Sequence, residues 1–278
     1  MIYISYSGKK TYLQCPLKYK YIYINRLAIK GDRTAAIRGI VIDNLFEKFY
    51  NDKLYIKNQK EKNFGLESYV DYVIDRVFEK EALLPEDNVE FRYRLKQETI
   101  AKIEPTLETI KKHKLIKDNS KSSVNLSTHI RVSKFSDTVK LVGIADFIHG
   151  YGKSVWILDG KNYMKKEADL DQLLFYATLY AFKYKVVPSR LGFLFYMFKD
   201  DQLQWVDFNE DMLRESFNKT IHVISEIRKG KFHPKPSVSS CANCKFRHIC
   251  EHGKALDEEI RLEKGILVES SLFDLEKI

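Results

Sequence analysis

The segment VKLVGIADFIHGYGKSVWILDGK, Val139–Lys161, is rich in β-branched and aromatic residues on both sides of Gly150-Tyr-Gly152. It reads as two strands, Val139–Ile148 and Ser154–Leu158, joined by a turn. Gly143-Ile-Ala-Asp146 closes the first strand, and Asp159-Gly-Lys161 ends the second. If the strands are antiparallel neighbours, Asp146 and Asp159 lie side by side, with Lys161 on the same face two residues on. Two adjacent carboxylates repel unless a cation sits between them, so the pair suits magnesium or manganese. A lysine beside them can orient an attacking water and offset phosphate charge as the ammonium, or deprotonate the water as the neutral amine. Taken alone, D-x-K at a strand end is a weak signal, because many strands end that way for solubility.

Further strands are expected at Val124–Val132, Arg190–Phe198 and Gln204–Phe208, and helices at Asp171–Tyr184 and Asp211–Lys229, the latter stopping at Gly230. Upstream, Arg38–Tyr50 carries Ile42, Leu45, Phe46 and Phe49 on one helical side. Leu66–Leu84 and Glu90–Lys114 repeat the helical period, with Pro85 between them and a kink expected at Pro105. Lys117–Ser123 reads as a loop. The N-terminal stretch Tyr3–Leu27 mixes Tyr with Lys and is neither clean helix nor clean strand. The sum is a mixed α/β core with a helical insertion at about residues 50–120. Gln172 and Tyr176, four apart, share one face of the helix after Lys161.

The 278 residues suffice for one large domain. No signal peptide or bilayer-length apolar run is present, so a soluble cytoplasmic protein is expected. The net charge is +9, and the last 24 residues hold seven acids against three bases, which leaves the rest near +13. A basic body suits a polyanion, since each neutralised phosphate releases counterions; a lysine-rich solvated surface is the bland reading.

The only cysteines are Cys15, in Gln-Cys-Pro, and Cys241-x2-Cys244-x5-Cys250, more than two hundred residues downstream. In an intracellular protein such a set points to metal rather than disulfides. Four thiolates satisfy a tetrahedral zinc or a four-iron cluster. The isolated ligand and uneven spacing favour the cluster over a zinc ribbon, with unligated cysteines a third reading. A metal there would clamp the two ends of the chain, a structural role.

Together these motifs resemble the PD-(D/E)XK nucleases of the RecB/AddB type, in their iron–sulfur branch, to which CRISPR-associated adaptation nucleases and stand-alone viral exonucleases are related. The likeness runs through Ser5-x-Ser7, Cys15-Pro16, Gly39-x-x-x-Asp43, Gly143-x-x-Asp146, Asp159-x-Lys161, Gln172-x-x-x-Tyr176 and the final cysteines. It implies a restriction-endonuclease-like mixed sheet flanked by helices, in a single nuclease domain over 1–278 with residues 233–254 completing the cysteine site. It also implies that Asp146, Asp159 and the Gly160 carbonyl are metal ligands, that Lys161 is catalytic, and that Gln172 and Tyr176 support the site or contact DNA. The four cysteines would hold a [4Fe-4S] cluster. Mg2+ or Mn2+ would serve exonucleolytic hydrolysis of single-stranded or frayed DNA in recombination, repair or phage DNA metabolism, in the cytoplasm (of a host, if the source is viral). Protein partners in recombination, replication or CRISPR adaptation would fit. A spacer-processing nuclease and a non-catalytic nucleic-acid-binding protein of the same fold are the alternatives.

One position departs from the family pattern, which has histidine where Gly39-x-x-x-Asp43 has aspartate. A carboxylate is a hard donor that suits magnesium at least as well as imidazole does, so Asp43 is retained as a ligand, with Glu47 one turn later as competitor. His129, His149 and His222 read as surface or core histidines, and His248 is not needed beside four thiolates. The tyrosines Tyr3, Tyr6, Tyr12, Tyr19, Tyr21 and Tyr23 could stack on bases, although such a run more often packs against a core.

Overall fold

The computed structural model describes residues 2–27, 34–51, 65–81, 88–115, 120–131, 138–150, 154–162, 169–196 and 202–262. In chain order the elements begin with β1 (Ile2–Ile4), α1 (Tyr6–Gln14), α2 (Pro16–Tyr19), a π turn at Lys20–Ile24, and α3 (Thr34–Asn51). Next come α4 (Leu66–Lys80), α5 (Val89–Lys112), β2 (Lys121–Arg131), β3 (Thr138–His149) and β4 (Trp156–Lys161). The last are α6 (Leu170–Tyr184), β5 (Arg190–Phe195), β6 (Leu203–Val206), α7 (Glu210–Arg228), α8 (Val238–Ala242), a 3-10 turn at Arg247–Ile249, and α9 (Glu251–Lys254).

The six strands form one mixed sheet in the order β1-β3-β4-β5-β6, with β2 also paired to β3. β3 is antiparallel to both β2 and β4, and the turn at Gly150 reverses the chain between β3 and β4. β5 is parallel to β4, and parallel neighbours need a crossover, which α6 supplies. β6 returns antiparallel on β5. The result is a restriction-endonuclease-like α/β fold, a central mixed sheet flanked by helices.

The chain clusters into two compact units. The first comprises Met1–Tyr3 and Asp32–Asn218, the second Ile4–Gly31 and Lys219–Ile278. In the first, one apolar cluster joins α3 (Val41, Leu45, Phe46, Phe49), α4 (Val70, Val73, Ile74, Val77) and α5 (Leu95, Ile103, Ile110) to Phe147, Leu158 and Leu194 of the sheet. Burying each such side chain contributes about 1.5–3 kcal/mol, so this cluster fixes α3 against the strand ends. The helices α4 and α5 occupy the stretch expected as an insertion; residues 52–64, 82–87 and 116–119 of it, Pro85 included, lie outside the described residues. So do Tyr151 and Gly152. α5 continues through Pro105.

The second unit differs from the sequence reading. Tyr3–Leu27 looked irregular, yet Tyr6–Ile24 is helical almost throughout. Ser5 caps α1 by accepting from the Gly8 amide at 3.1 Å. Pro16 opens α2 at its first position, and Cys15 before it is extended. Tyrosine–lysine mixing hid the period, because Tyr6, Tyr12 and Tyr19 are buried and serve as the apolar side. Tyr19 stacks on Phe232 with ring centroids 6.4 Å apart, Tyr21 meets Phe246 at 5.3 Å, and the Tyr12 hydroxyl donates to the Lys231 carbonyl at 2.6 Å. The early and late segments are thus tied by aromatic packing. Among these tyrosines only Tyr3 and Tyr23 are classed as exposed, so the run is mainly core.

Smaller differences concern boundaries. β2 starts at Lys121, inside the stretch read as a loop, because Lys121 and Ser122 pair with Ile148 and Phe147. β4 runs to Lys161 rather than ending at Leu158, since Asp159, Gly160 and Lys161 pair with β5.

Candidate active site

β3 and β4 pair at Phe147 with Leu158, Ile148 with Ile157 and His149 with Trp156. One further step in that register sets Asp146 opposite Asp159. The Gly160 amide donates to Asp146 Oδ2 at 2.8 Å, which fixes that carboxylate across the strand gap. Asp159 is 1% exposed and ion-pairs with Lys161, itself 6% exposed. The Lys161 ammonium also donates to Gln172 Oε1 at 2.8 Å, and Gln172 Nε2 donates to the Tyr176 hydroxyl at 3.1 Å. The i, i+4 spacing on α6 therefore builds a relay that holds the lysine from the helix side. Asp169 caps that helix by accepting from the Asp171 amide, which sets where it begins.

Electrostatics join Asp43 to this group. Its carboxyl is pushed up to about 6, first by the crowding of protein around it and next by the Asp159 charge, with Lys161 opposing and Glu47 adding. The residue as a whole keeps solvent access on α3. Asp146 is raised well above the ordinary carboxylate range by burial, then by Asp159 and Asp43; the Gly160 amide and Lys161 pull the other way. Asp159 is raised by burial, against the pull of Lys161 and a hydrogen bond shared with Asp146. Carboxyls that hydrogen-bond to each other must share a proton, and a divalent cation can take that proton's place. Asp159 Oδ2 is buried and ion-paired with the Lys161 ammonium, the positive charge that a buried carboxylate draws. Both observations fit a cation between the carboxylates, although among the described residues no group of three or more His, Cys, Asp or Glu is arranged to hold a metal ion.

Two glycines of the motif have packing reasons. A Cβ on Gly160 would stand 1.9 Å from the Tyr196 hydroxyl. One on Gly143 would meet Leu179 at 2.9 Å and Tyr176 at 3.0 Å, so the missing side chain lets α6 pack closely on β3 at this position. Tyr196 is a residue that sequence reasoning did not single out. It is buried, its amide donates to the Lys161 carbonyl at 2.9 Å, and its ring stacks on Phe46 of α3 at 5.1 Å. Ser123 is a second: β2 pairs with β3 on either side of it but skips the Ser123–Asp146 position, and Ser123 has φ +53°. The ladder is therefore broken opposite Asp146. Pairing alternation could not reveal either residue, because Tyr196 acts through tertiary contact and Ser123 through a local backbone conformation. Among the histidines, His149 is buried with Nδ1 3.0 Å from the Ser120 hydroxyl, a core role.

The family model of the PD-(D/E)XK nuclease superfamily matches residues 3–251. The chain belongs to that superfamily. The matched span includes every motif residue above, from Ser5 to Cys250. No curated protein matches the sequence significantly. The solved crystal structure of SSO0001 is similar over 85% of this chain and 95% of its own, at 16% identity and a TM-score of 0.35, too weak a likeness to carry an argument.

As a member of this superfamily the chain is a nuclease by descent, and its family typically uses divalent metals. Its four cysteines all lie in the second unit and line one recess together with Tyr21, Phe246 and Arg247. All are free and partly buried. Ser237 caps α8 by accepting from the Ser240 amide at 3.2 Å, and this short helix presents Cys241. Cys15 joins α1 to α2, and Cys250 opens α9. The Tyr21 hydroxyl is raised first by burial and then by the nearby Cys250, Cys15 and Cys244, which share the recess with it. Among the described residues no helix is long and apolar enough to cross a membrane.

Proposed function

We propose that this superfamily member is a divalent-metal-dependent deoxyribonuclease that trims single-stranded or frayed DNA from an end. The observation that carries the reading is the pairing of two opposed carboxylates, Asp146 and Asp159, with a lysine held in place by Gln172. Residues that serve only solubility need neither burial nor a relay behind them.

In this reading Asp146, Asp159 and Asp43, with the Gly160 carbonyl, would hold Mg2+ or Mn2+, which would supply a bound water of lowered pKa and positive charge beside the phosphate. Lys161, as an ammonium ion-paired with Asp159, stands where it can orient that water by donating a hydrogen bond and can stabilise the negative charge that develops on the phosphoryl oxygens. Gln172 and Tyr176 keep the Lys161 stem from collapsing onto Asp159 alone. Tyr196, stacked on Phe46, packs the end of β4 against α3, the helix that carries Asp43. α4 and α5 are an insertion into the nuclease core, and the basic composition suits the DNA backbone.

The recess lined by Cys15, Cys241, Cys244 and Cys250 supports a [4Fe-4S] cluster in the same reading. Four thiols from distant parts of the sequence line this one recess. A cluster there supplies cross-linking, since it would reinforce the aromatic tie of Tyr19 and Tyr21 to Phe232 and Phe246.

The test uses 5′- and 3′-labelled linear single-stranded DNA beside closed circular single-stranded DNA, with Mg2+ or Mn2+. Progressive shortening of the linear strand with the circle intact is expected. Equal cutting of the circle overturns the exonuclease part, and no cutting of any form overturns the enzyme reading.

A further inference from the structure

Beyond the carboxylate site, α3 and α4 enclose a groove of about 510 Å³ whose lining includes Asn44, Lys48, Tyr72, Arg76, Glu79 and Lys80. Its chemistry follows from how α4 divides its charges. Asp71 takes Lys96 at 2.7 Å, and Asp75 takes Arg92 at 2.8 Å, so these acids are neutralised against α5. The opposite side of α4 is left with Tyr72, Arg76 and Lys80, facing Lys48 of α3. Among the described residues that line the groove, Lys48, Arg76 and Lys80 stand beside one acid, Glu79, so the lining carries more positive than negative side chains. Arg76 is held by Glu79 at 3.0 Å, but both side chains are 66% exposed. Such a pair contributes little and opens readily to a better anion.

An aromatic ring is placed among the cations. Tyr72 is 49% exposed, the Lys48 ammonium sits 5.8 Å from its ring centroid, and Tyr69 backs it at 6.4 Å. A cation next to an accessible ring matches a nucleotide, with its phosphate to the ammonium and its base to the ring. The groove also adjoins the carboxylate site through the helix itself. Asn44 and Lys48 follow Asp43 and Glu47 by one residue each, so the two faces of α3 are neighbours about 100° apart.

We infer that this groove is a binding track for single-stranded DNA, with Lys48, Arg76 and Lys80 on phosphates and Tyr72 stacked on a base. It would feed the strand past α3 to Asp43, Asp146 and Asp159, an inference that rests on the deoxyribonuclease reading above. Double-stranded DNA is a poorer fit, because its bases are not available to Tyr72.

The test measures binding of a fluorescein-labelled oligothymidylate by anisotropy in EDTA over a range of salt, so that cleavage plays no part. The protein is compared with Tyr72→Ala and with the triple variant Lys48→Ala/Arg76→Ala/Lys80→Ala, each checked for an unchanged thermal melt. Removing three phosphate contacts should reduce the slope of log affinity against log salt by about two. Losing one stacked base should weaken binding by about five- to a hundredfold. As a second readout, an oligonucleotide carrying 5-iododeoxyuridine should photocross-link to the peptide containing Tyr72. If the wild type binds and cuts DNA while the variants keep its slope and affinity, or the cross-link falls outside α3 and α4, the groove is overturned and the nuclease reading stands. If the wild type neither binds nor cuts, both fall.

Discussion

Lys161 and Gln172 are joined by a 2.8 Å hydrogen bond from the ammonium to the side-chain carbonyl oxygen, and that bond decides how the lysine is presented. The ammonium is shared between Asp159 and a neutral amide, so it is not wholly consumed by its acidic neighbour. Gln172→Ala should therefore lower the cleavage rate about ten- to a hundredfold while the fold persists, and Lys161→Ala should lower it about a hundredfold or more. Tyr176→Phe, which removes only the acceptor for Gln172 Nε2, should cost less than either. Single-turnover kinetics on labelled DNA with matched circular dichroism will rank the three; Gln172→Ala at the wild-type rate would remove the relay from the account.

Gly160 is a test of packing. The Tyr196 hydroxyl occupies the space that a β-carbon would need, and Tyr196 is wedged between β4 and Phe46. Gly160→Ala should destabilise the protein by about 1–3 kcal/mol through overpacking and disturb the amide that holds Asp146. Tyr196→Phe in the same background should restore part of the loss. Urea unfolding measures both; an alanine variant as stable as wild type would mean that Tyr196 is not a fixed wall.

The carboxyl group of Asp43, pushed up to about 6, together with raised Asp146 and Asp159, sets a direction for pH. A raised carboxyl binds its proton more tightly in the folded state than in the unfolded one. Its contribution is therefore favourable at low pH and is lost as pH rises from about 4 to about 6 and above. A divalent cation offsets the repulsion that appears in that range. The melting-temperature gain from Mg2+ or Mn2+ should thus be small at pH 5 and larger at pH 7.5. Scanning calorimetry with and without metal reads this, and a gain that does not change with pH would contradict it.

For the cysteine recess, anaerobically purified protein should be brown and contain about four irons and four sulfides per chain. Cys15→Ser should lose the colour and lower the melting temperature more than it lowers the chemistry per folded molecule. Colourless protein with one zinc, or with no metal and unchanged stability in Cys15→Ser, would remove the cluster.

Much of the fold and most of the candidate site were legible in the sequence, for a physical reason. Strand alternation and the turn at Gly150 are local, and they sufficed to set the strand carrying Asp146 against the strand carrying Asp159. The i, i+4 rule did the same for Gln172 and Tyr176. What escaped reading depends on contacts between distant segments. Tyr12 and Tyr19 form the apolar side of helices that look polar by composition, and only Phe232, more than two hundred residues on, makes that sensible. Tyr196 likewise gains meaning from Gly160 and Phe46. The break at Ser123 opposite Asp146 is a backbone conformation that a serine in a polar stretch does not announce.

The most direct measurement is cleavage of end-labelled single-stranded DNA by the purified protein with Mg2+ or Mn2+, beside EDTA, Asp159→Ala and Lys161→Ala. The account predicts metal-dependent cutting by the wild type that EDTA abolishes and that both variants lose while still folding. Undiminished cutting by either variant, or no cutting by the wild type with any metal, would contradict it.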